Sequence, residues 1–179
     1  MSLTTLLVLG GTRSGKSRYA ETRVLAAGGE PVYIATAEAC DDEMVERIAQ
    51  HRRDRGPGWR TVEAPFDLPA AIAAESGRGR AVLVDCLTLW TSNLLLAGLD
   101  LDEATDRLLA AVRAHAGPLA LVSNEVGLGI VPDNALARRF RDIAGQMHQA
   151  LGAIVDEVQF IAAGLPLALK HPGAMNLRS

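Results

Sequence analysis

The chain has 179 residues, a mass of 19.0 kDa, a formal net charge of −3 and an isoelectric point near 5.8. Nearly half of the residues are apolar, so the chain can bury the core of one domain, and the composition excludes a disordered or fibrous protein. The acidic balance argues against a nucleic-acid-binding protein, which would usually carry a basic face. We therefore expect a single domain over residues 1–179, frayed from about residue 171.

The cysteine content and the hydropathy of the sequence indicate the cellular compartment in which the protein is expected to work. Cys40 and Cys86 are the two cysteines of the sequence, and two cysteines do not indicate a disulfide framework. The amino terminus lacks a basic region, and its apolar run at Leu6–Leu9 is too short for a signal peptide. No segment approaches the ~20 apolar residues of a membrane span. We expect a cytoplasmic protein.

Apolar runs alternate with helical patterns along almost the whole chain. In the first half they predict strand Leu6–Leu9, helix Lys16–Ala27, strand Pro31–Thr36, a helix from Asp41 to about Arg55, strand Trp59–Glu63, helix Leu68–Glu75 and strand Arg80–Asp85. In the second half they predict two helices between Leu87 and about His115 broken near Gly98, strand Leu119–Ser123, a long helix with Asp133 as its N-cap, and a hairpin of Val158–Ala162 and Leu167–Leu169.

The order of these elements predicts the fold class. Strands that are apolar throughout and alternate with helices are typical of a parallel sheet covered by helices on both faces. The terminal hairpin would add one antiparallel strand. The sequence therefore predicts an α/β fold with a mostly parallel sheet.

A glycine-rich segment follows the first predicted strand. Gly10–Ser17, with the sequence GGTRSGKS, fits the P-loop pattern G-x-x-x-x-G-K-[ST] and lies between a strand and a helix, as that motif requires. The glycines allow successive backbone N–H groups to converge on phosphate oxygens, and the helix adds its positive dipole end. A purine triphosphate, GTP or ATP, is the expected ligand.

Two side chains of this motif carry charge and metal chemistry. Lys16 is a compact cation that can reach between the β- and γ-phosphates, and the Ser17 hydroxyl can bind Mg²⁺. Lys16 and Lys170 are the only lysines among 18 basic residues, so a lysine at the P-loop position stands out in a chain that otherwise uses arginine. A ligand-free glycine-rich turn is the competing interpretation, and the strand-to-helix context disfavours it.

Asp85 ends the most continuous apolar strand. A carboxylate at this place, given a P-loop, is expected to reach Mg²⁺ directly or through water. Without the P-loop it would be interpreted only as a strand terminator.

The predicted helix from Asp41 leaves two alternatives open. His51 shares a helix face with Met44 and Ile48, so it is either the edge of a packed stripe or a functional group. The arginines that follow it are either a solvated face or an anion-binding cluster; they are Arg52, Arg53 and Arg55. Periodicity alone does not decide between these interpretations.

Several short sequence segments, taken together, resemble those of one protein family. They are Gly10–Ser17, Tyr33–Thr36, Asp41–Met44 with Arg47-Ile48 and His51-Arg52, Trp59–Glu63, Asp85–Leu87, Asn124–Pro132 and Arg138–Asp142. In this order, from about Leu6 to Lys170, the chain strongly resembles the bifunctional adenosylcobinamide kinase/adenosylcobinamide-phosphate guanylyltransferase of cobalamin biosynthesis. The Asn124–Pro132 string is the most specific of them.

The resemblance implies two reactions at a RecA-like P-loop fold. A nucleoside triphosphate phosphorylates the hydroxyl of the aminopropanol arm of adenosylcobinamide, and GTP then donates GMP to that phosphate with release of pyrophosphate. The resemblance also implies a GMP-histidine intermediate and a homotrimer.

Site residues carry over from the resemblance by position. His51 corresponds to the nucleophile, which suits a neutral imidazole of ordinary pKa about 6.5. Asp85 stands where relatives often have Glu, and Thr12 where Ala is frequent. The full expected site comprises Lys16 and His51 as catalytic residues, Ser17 and Asp85 as metal ligands, and Gly10, Gly11, Thr12, Arg13, Ser14, Gly15, Lys16, Ser17, Ala35, Thr36, Ala37, Arg52, Arg53, Glu63 and Asp85 as nucleotide-binding residues.

Other functions fit less well. The main alternative is a P-loop small-molecule kinase without a covalent intermediate, which differs only in the His51 segment. A strand-exchange motor would carry basic DNA-contacting loops, which an acidic chain of this size does not show. A GTP switch would usually carry an Asn-Lys-x-Asp motif, which this chain lacks. A regulatory nucleotide-binding module would be excluded by turnover with cobinamide.

Overall fold

The computed structural model describes residues 4–38, 56–77 and 79–171, together with Glu46 and Arg53. Its strands are β1 (Thr5–Gly10), β2 (Glu30–Ala35), β3 (Arg60–Glu63), β4 (Arg80–Asp85), β5 (Leu119–Asn124), β6 (Glu157–Ala162) and β7 (Leu165–Lys170). The helices within these ranges are α1 (Lys16–Ala27), α2 (Leu68–Ala74), α3 (Leu87–Leu96), α4 (Leu101–Ala114) and α5 (Ala135–Ile154).

The strands form one sheet in the order β3-β2-β4-β5-β1-β6-β7. Strands β1 to β6 pair in parallel, and β7 pairs antiparallel with β6. The predicted mostly parallel sheet with a terminal hairpin is therefore confirmed. In this order β5 lies between β1 and β4, so the loops that follow these three strands meet at one edge of the sheet.

Helices cover both faces of the sheet, as the continuous apolar strands predicted. In β1, Leu7 and Leu9 face a core cluster built with α2 to α5, while Leu6 and Val8 face a second cluster built with α1. Alternate residues of one strand thus enter opposite cores, which is why the whole strand is apolar.

Several predicted boundaries differ from the structure by one or two residues, and two of these differences have an identifiable cause. The long helix α5 has Asn134 rather than Asp133 as its N-cap, because the Asn134 Oδ1 accepts hydrogen bonds from the backbone N–H groups of Leu136 and Ala137. Strand β7 begins at Leu165, before the predicted start at Leu167, because an edge strand tolerates Pro166.

The predicted helix from Asp41 to about Arg55 lies outside the described residues except for Glu46 and Arg53, which are both helical. Residues 172–179, which include most of the predicted frayed tail, also lie outside them. Within the ranges that the structure covers, every helix is too short or too polar to cross a membrane.

Candidate functional site: a P-loop at the carboxyl edge of the sheet

The P-loop connects β1 directly to α1. Gly10 is the last residue of β1, Gly15 is the N-cap of α1, and Lys16 is the first helical residue. Gly15 has a φ of 99°, a left-handed conformation that side chains disfavour. The consensus glycine is therefore needed for the backbone to enter the helix at this point.

Neighbouring backbone also requires glycine at Gly10. A Cβ at this position would lie 2.4 Å from the Ile161 carbonyl oxygen and 2.8 Å from Ser14 Oγ, and both distances are shorter than a real contact allows. The turn after β6 holds the loop from the same side, because Gly164 N donates a hydrogen bond of 2.9 Å to the Ser14 carbonyl. The terminal hairpin thus braces the P-loop.

Lys16 turns back into the loop. Its side chain is buried, at 6% exposed, and Nζ donates a hydrogen bond of 2.5 Å to the Gly11 carbonyl oxygen. Burial lowers the pKa of Lys16, and the negative charge of Asp85 acts in the opposite direction. Lys16 and Asp85 therefore lie close enough for their charges to interact.

Two serines accompany the lysine. Ser14 Oγ is buried and has no hydrogen-bond partner among the described residues. Ser17 lies in the first turn of α1 and is half-buried. Both hydroxyls are therefore carried by residues of the loop and first helical turn that would surround a phosphate.

Asp85 is the last residue of β4 and is partly exposed. The peptide that follows it is held by Thr36, which is fully buried: Thr36 Oγ1 donates to the Cys86 carbonyl at 2.7 Å and accepts from Cys86 N at 2.8 Å. Asn93 Nδ2 in turn donates to the Thr36 carbonyl at 2.8 Å. The Thr36 hydroxyl thus bonds to the backbone that follows the end of β4.

Cys86 is a packing residue in the core cluster that contains α1. It is buried, and burial raises the pKa of its thiol to about 11. The thiol therefore stays protonated near neutral pH and does not act as a nucleophile.

The residues expected around guanosine lie at adjacent strand ends. Ala35 is aligned with Asp85 on one side and with Glu63 on the other. Ala37 is partly exposed just after β2, and Glu63 is exposed at the end of β3. The structure therefore brings Ala35, Ala37 and Glu63 to the same edge as the P-loop, separated from it by β4 and β5.

The Asn124–Pro132 loop begins against the P-loop. Glu125 N donates a hydrogen bond of 2.9 Å to the Gly10 carbonyl, and Asn124 N donates one of 2.6 Å to Thr88 Oγ1. The string that was most specific in the sequence is therefore anchored between β1 and the start of α3.

The helical segment of the expected site is described only in part. His51 and Arg52 lie outside the described residues. Arg53 is exposed, and its Nη2 donates a hydrogen bond of 2.8 Å to Glu46 Oε1.

Three connected polar residues of this edge were missed in the sequence, and two of them, Ser123 and His148, are buried. Thr88, Ser123 and His148 are connected by hydrogen bonds, although they belong to three different elements. His148 had no partner pattern along the chain, because its partner is 25 positions away on β5. Only the folded sheet shows this connection.

Comparison with known proteins identifies the family. Residues 6–169 match the family CobU, described as cobinamide kinase / cobinamide phosphate guanyltransferase. The chain is 49% identical over 166 residues to the bifunctional adenosylcobalamin biosynthesis protein CobP of Pseudomonas aeruginosa, covering 92% of this chain and 96% of the relative. It is 39% identical over 180 residues to the protein of the same description, CobU, of Salmonella typhimurium, covering 92% and 99%.

Solved structures support the fold class. A solved ATPase domain aligns with a TM-score of 0.53 at 13% identity, covering 96% of this chain and 78% of that one. A type III secretion system ATPase aligns with a TM-score of 0.52 at 11% identity, covering 92% and 56%. At these identities the likeness concerns the fold alone, and it confirms the P-loop ATPase architecture. The chain belongs to the cobinamide kinase / cobinamide phosphate guanyltransferase family, and it is an enzyme of the kinase and nucleotidyltransferase classes.

Proposed function

We propose that this enzyme phosphorylates adenosylcobinamide with GTP or ATP and then transfers GMP from GTP to the phosphate it has made. The observation that carries the proposal is the position of Lys16, whose buried side chain turns into the P-loop and bonds to the Gly11 carbonyl. Each reaction would use its own triphosphate molecule bound at this one loop, with the γ-phosphorus attacked in the first reaction and the α-phosphorus of a second molecule, GTP, attacked in the second.

The P-loop supplies the phosphate-binding groups. Its backbone N–H groups and the amino terminus of α1 would face the β- and γ-phosphates. Lys16 Nζ would exchange the Gly11 carbonyl for phosphate oxygens, and the buried Ser14 hydroxyl would donate to another oxygen. Each of these groups stabilises charge on the phosphates without a change in the fold.

Magnesium fits the donors at this edge. The Ser17 hydroxyl and the Asp85 carboxylate are hard oxygen ligands, which Mg²⁺ prefers, and Mg²⁺ usually takes only one or two protein ligands besides phosphates and water. We therefore assign the ion to Ser17 and Asp85, together with phosphate oxygens and water. The Mg²⁺ ion would neutralise part of the negative charge of the phosphates.

The first reaction needs no protein nucleophile. The hydroxyl oxygen of the aminopropanol arm bonds to the γ-phosphorus, the bond to the β–γ bridging oxygen breaks, and the hydroxyl loses its proton. A nucleoside diphosphate leaves. Lys16 offsets the charge on the transferring phosphoryl group.

The second reaction uses His51, and this assignment rests on the family resemblance. A neutral imidazole nitrogen bonds to the α-phosphorus of GTP as pyrophosphate leaves. A phosphate oxygen of adenosylcobinamide phosphate then attacks the same phosphorus and the phosphorus–nitrogen bond breaks. The product is adenosylcobinamide-GDP, and the His51 side chain returns to its unmodified form.

The remaining residues would select and orient the nucleotide. We assign the guanosine site to Ala35, Thr36, Ala37 and Glu63, and neutralisation of the triphosphate to Arg52 and Arg53. The shared edge of β2, β3 and β4 supports the first assignment. We also propose a single catalytic domain over residues 1–179 that works in the cytoplasm as a homotrimer.

Labelling with GTP tests the covalent step. The enzyme is incubated with GTP labelled on the α-phosphate, or in parallel on the γ-phosphate, and is then denatured and treated with acid or base. An acid-labile, base-stable label from α-labelled GTP alone is expected for a histidine–GMP bond. His171→Ala, which alters an exposed histidine, is the matched control for His51→Ala.

The same experiment distinguishes the second candidate, a P-loop kinase without a covalent intermediate. That enzyme would phosphorylate cobinamide and take up no α-label. Absence of both cobinamide turnover and label would contradict the proposed function as a whole.

A further inference from the structure

His148 is a buried titratable residue that the two reactions above do not use. It lies on α5, is 7% exposed, and its Nε2 is 2.7 Å from Ser123 Oγ, near the end of β5. Burial lowers the pKa of His148, and the nearby Glu125 carboxylate opposes this shift. A buried histidine bonded to a hydroxyl can serve only packing, or it can fix the position of that hydroxyl.

The hydrogen bond continues beyond Ser123. Ser123 Oγ is 3.2 Å from Thr88 Oγ1, and Thr88 Oγ1 accepts a hydrogen bond from Asn124 N at 2.6 Å. Because each hydroxyl donates one hydrogen and accepts others, the chain can be satisfied with His148 as donor or as acceptor. It connects α5, β5 and the first turn of α3.

This chain of hydrogen bonds ends between the two halves of the nucleotide site. Asn124 is aligned with Gly10 of the P-loop, and Val122 is aligned with Asp85. The next residue, Glu125, donates its N–H to the Gly10 carbonyl. Thr88 lies three positions after Asp85. A shift of the Ser123–Thr88 pair would therefore move the start of the 124–132 loop relative to both the P-loop and Asp85.

We propose that His148 is a positioning residue for phosphoryl transfer, which holds the start of the 124–132 loop against the P-loop through Ser123 and Thr88. The inference rests on the proposed function, since it assumes that the transferring phosphate lies between Lys16 and Asp85. His148 bonds to Ser123, one residue before the end of β5, so we assign it to alignment of the site and not to contact with the nucleotide.

The test compares His148→Leu with His148→Gln in the full chain. Leucine has a similar volume and no hydrogen-bonding atom, whereas the glutamine amide can reach Ser123 Oγ as the imidazole Nε2 does. We expect His148→Leu to lower kcat of the kinase reaction on the order of tenfold, because a small misplacement of reacting groups is costly. The Kd for GTP should change by less than about twofold, and His148→Gln should recover most of kcat.

A second readout does not depend on turnover. Hydrogen exchange of the segment 119–132 should accelerate in His148→Leu, because Ser123 would no longer be held by His148 and the Thr88 hydroxyl that accepts from the Asn124 N–H would be less firmly positioned. Thr91→Val is the matched control: Thr91 is also buried, donates to the Leu87 carbonyl at 2.8 Å and contacts Met147, the neighbour of His148. It should lower Tm while leaving kcat and exchange of the 119–132 segment unchanged.

Two results would overturn the inference. One is folded His148→Leu with the wild-type kcat and wild-type exchange. The other is equal loss of kcat in His148→Leu, His148→Gln and Thr91→Val, since this would mean that only core packing matters. If the wild-type enzyme failed to turn over cobinamide, the proposed function would be wrong, and the exchange readout would still decide whether His148 orders the loop.

Discussion

Thr36 and Cys86 are joined by two hydrogen bonds through a single hydroxyl. Thr36 Oγ1 donates to the Cys86 carbonyl at 2.7 Å and accepts from Cys86 N at 2.8 Å, and both residues are buried. The pair fixes the backbone immediately after Asp85 from the neighbouring strand end. The position of a proposed magnesium ligand therefore depends on a residue that need not touch the metal.

We predict that Thr36→Val weakens both stability and metal use. The change keeps the shape of the side chain but leaves the Cys86 N–H without its acceptor, while the Cys86 carbonyl keeps only the Trp90 N–H. We expect this to cost about 1–3 kcal/mol. Urea unfolding should show this loss, and kinase assays should show a higher Mg²⁺ concentration at half-maximal rate. Thr36→Ser, which keeps the hydroxyl, is the control; a folded Thr36→Val protein with unchanged Mg²⁺ dependence would contradict the role.

Lys16→Ala should abolish both activities. Each reaction needs the triphosphate in the same loop, with Lys16 offsetting charge on the phosphate that reacts. The only other lysine provides a matched control, because Lys170 donates to backbone carbonyls near the end of α5, among them Gly152 at 3.0 Å. Lys170→Ala should lower Tm and retain both activities. Near-normal guanylylation by Lys16→Ala would mean that GTP binds elsewhere.

Asp85→Asn should raise the Mg²⁺ requirement of both reactions without unfolding the protein. The amide is close in size to the carboxylate but lacks the charge that attracts the ion. Titration of each activity with MgCl₂ measures the effect, and Tm measures folding. Unchanged Mg²⁺ dependence of both reactions would remove Asp85 from the site.

The main elements could be predicted from the sequence because local pattern determines them. The P-loop motif located the start of α1 at Lys16, and the apolar run Arg80–Asp85 coincides with β4. The start of α5 was predicted one residue early because Asp133 and Asn134 are both good N-caps, and only the bonds of the Asn134 side chain distinguish them.

The polar connections of the site could not be predicted in the same way. The bonds of Thr36 to Cys86 and of His148 to Ser123 join residues 50 and 25 positions apart. They follow from which strands become neighbours, and no local sequence pattern specifies that order. The motif therefore predicted the loop between β1 and α1, whereas the residues that hold its surroundings in place required the fold.

The stability of the enzyme should depend on the charge of Glu75. This residue ends α2, is 8% exposed, and pairs with Arg60 of β3 and Arg80 of β4. The hydrogen bonds from Arg60 lower the pKa of Glu75 below its ordinary value. The stabilisation is therefore fully present above about pH 4.3, the ordinary glutamate pKa, and is lost as the pH falls through the lowered folded value.

Glu75→Gln should accordingly cost about 1–3 kcal/mol near pH 7, the range for hydrogen bonds to charged groups, and progressively less in acid. Urea unfolding of both proteins from pH 7 down to acid measures the difference. Arg107→Gln, which breaks the exposed Arg107–Asp67 pair, should have a smaller effect. A stability difference that stays constant down to the lowest pH would show that the charge of Glu75 is not the cause.

His51→Ala should separate the two activities of the enzyme. In the proposed mechanism His51 attacks the α-phosphorus of GTP, whereas the kinase reaction transfers the γ-phosphoryl group directly to a hydroxyl. The variant should therefore lose GMP labelling and guanylyl transfer while keeping measurable kinase activity. His51→Asn should behave in the same way, because it keeps polarity and approximate size but removes the nucleophilic nitrogen. Labelling with α-labelled GTP and phosphorylation of cobinamide, measured on the same folded preparations, give the two readouts.

Wild-type labelling in folded His51→Ala would exclude His51 as the nucleophile, since no other step in the mechanism attaches GMP to the protein. Equal loss of both activities would instead assign His51 to ordering the nucleotide site, because a residue used only for α-phosphorus attack leaves γ-phosphoryl transfer intact.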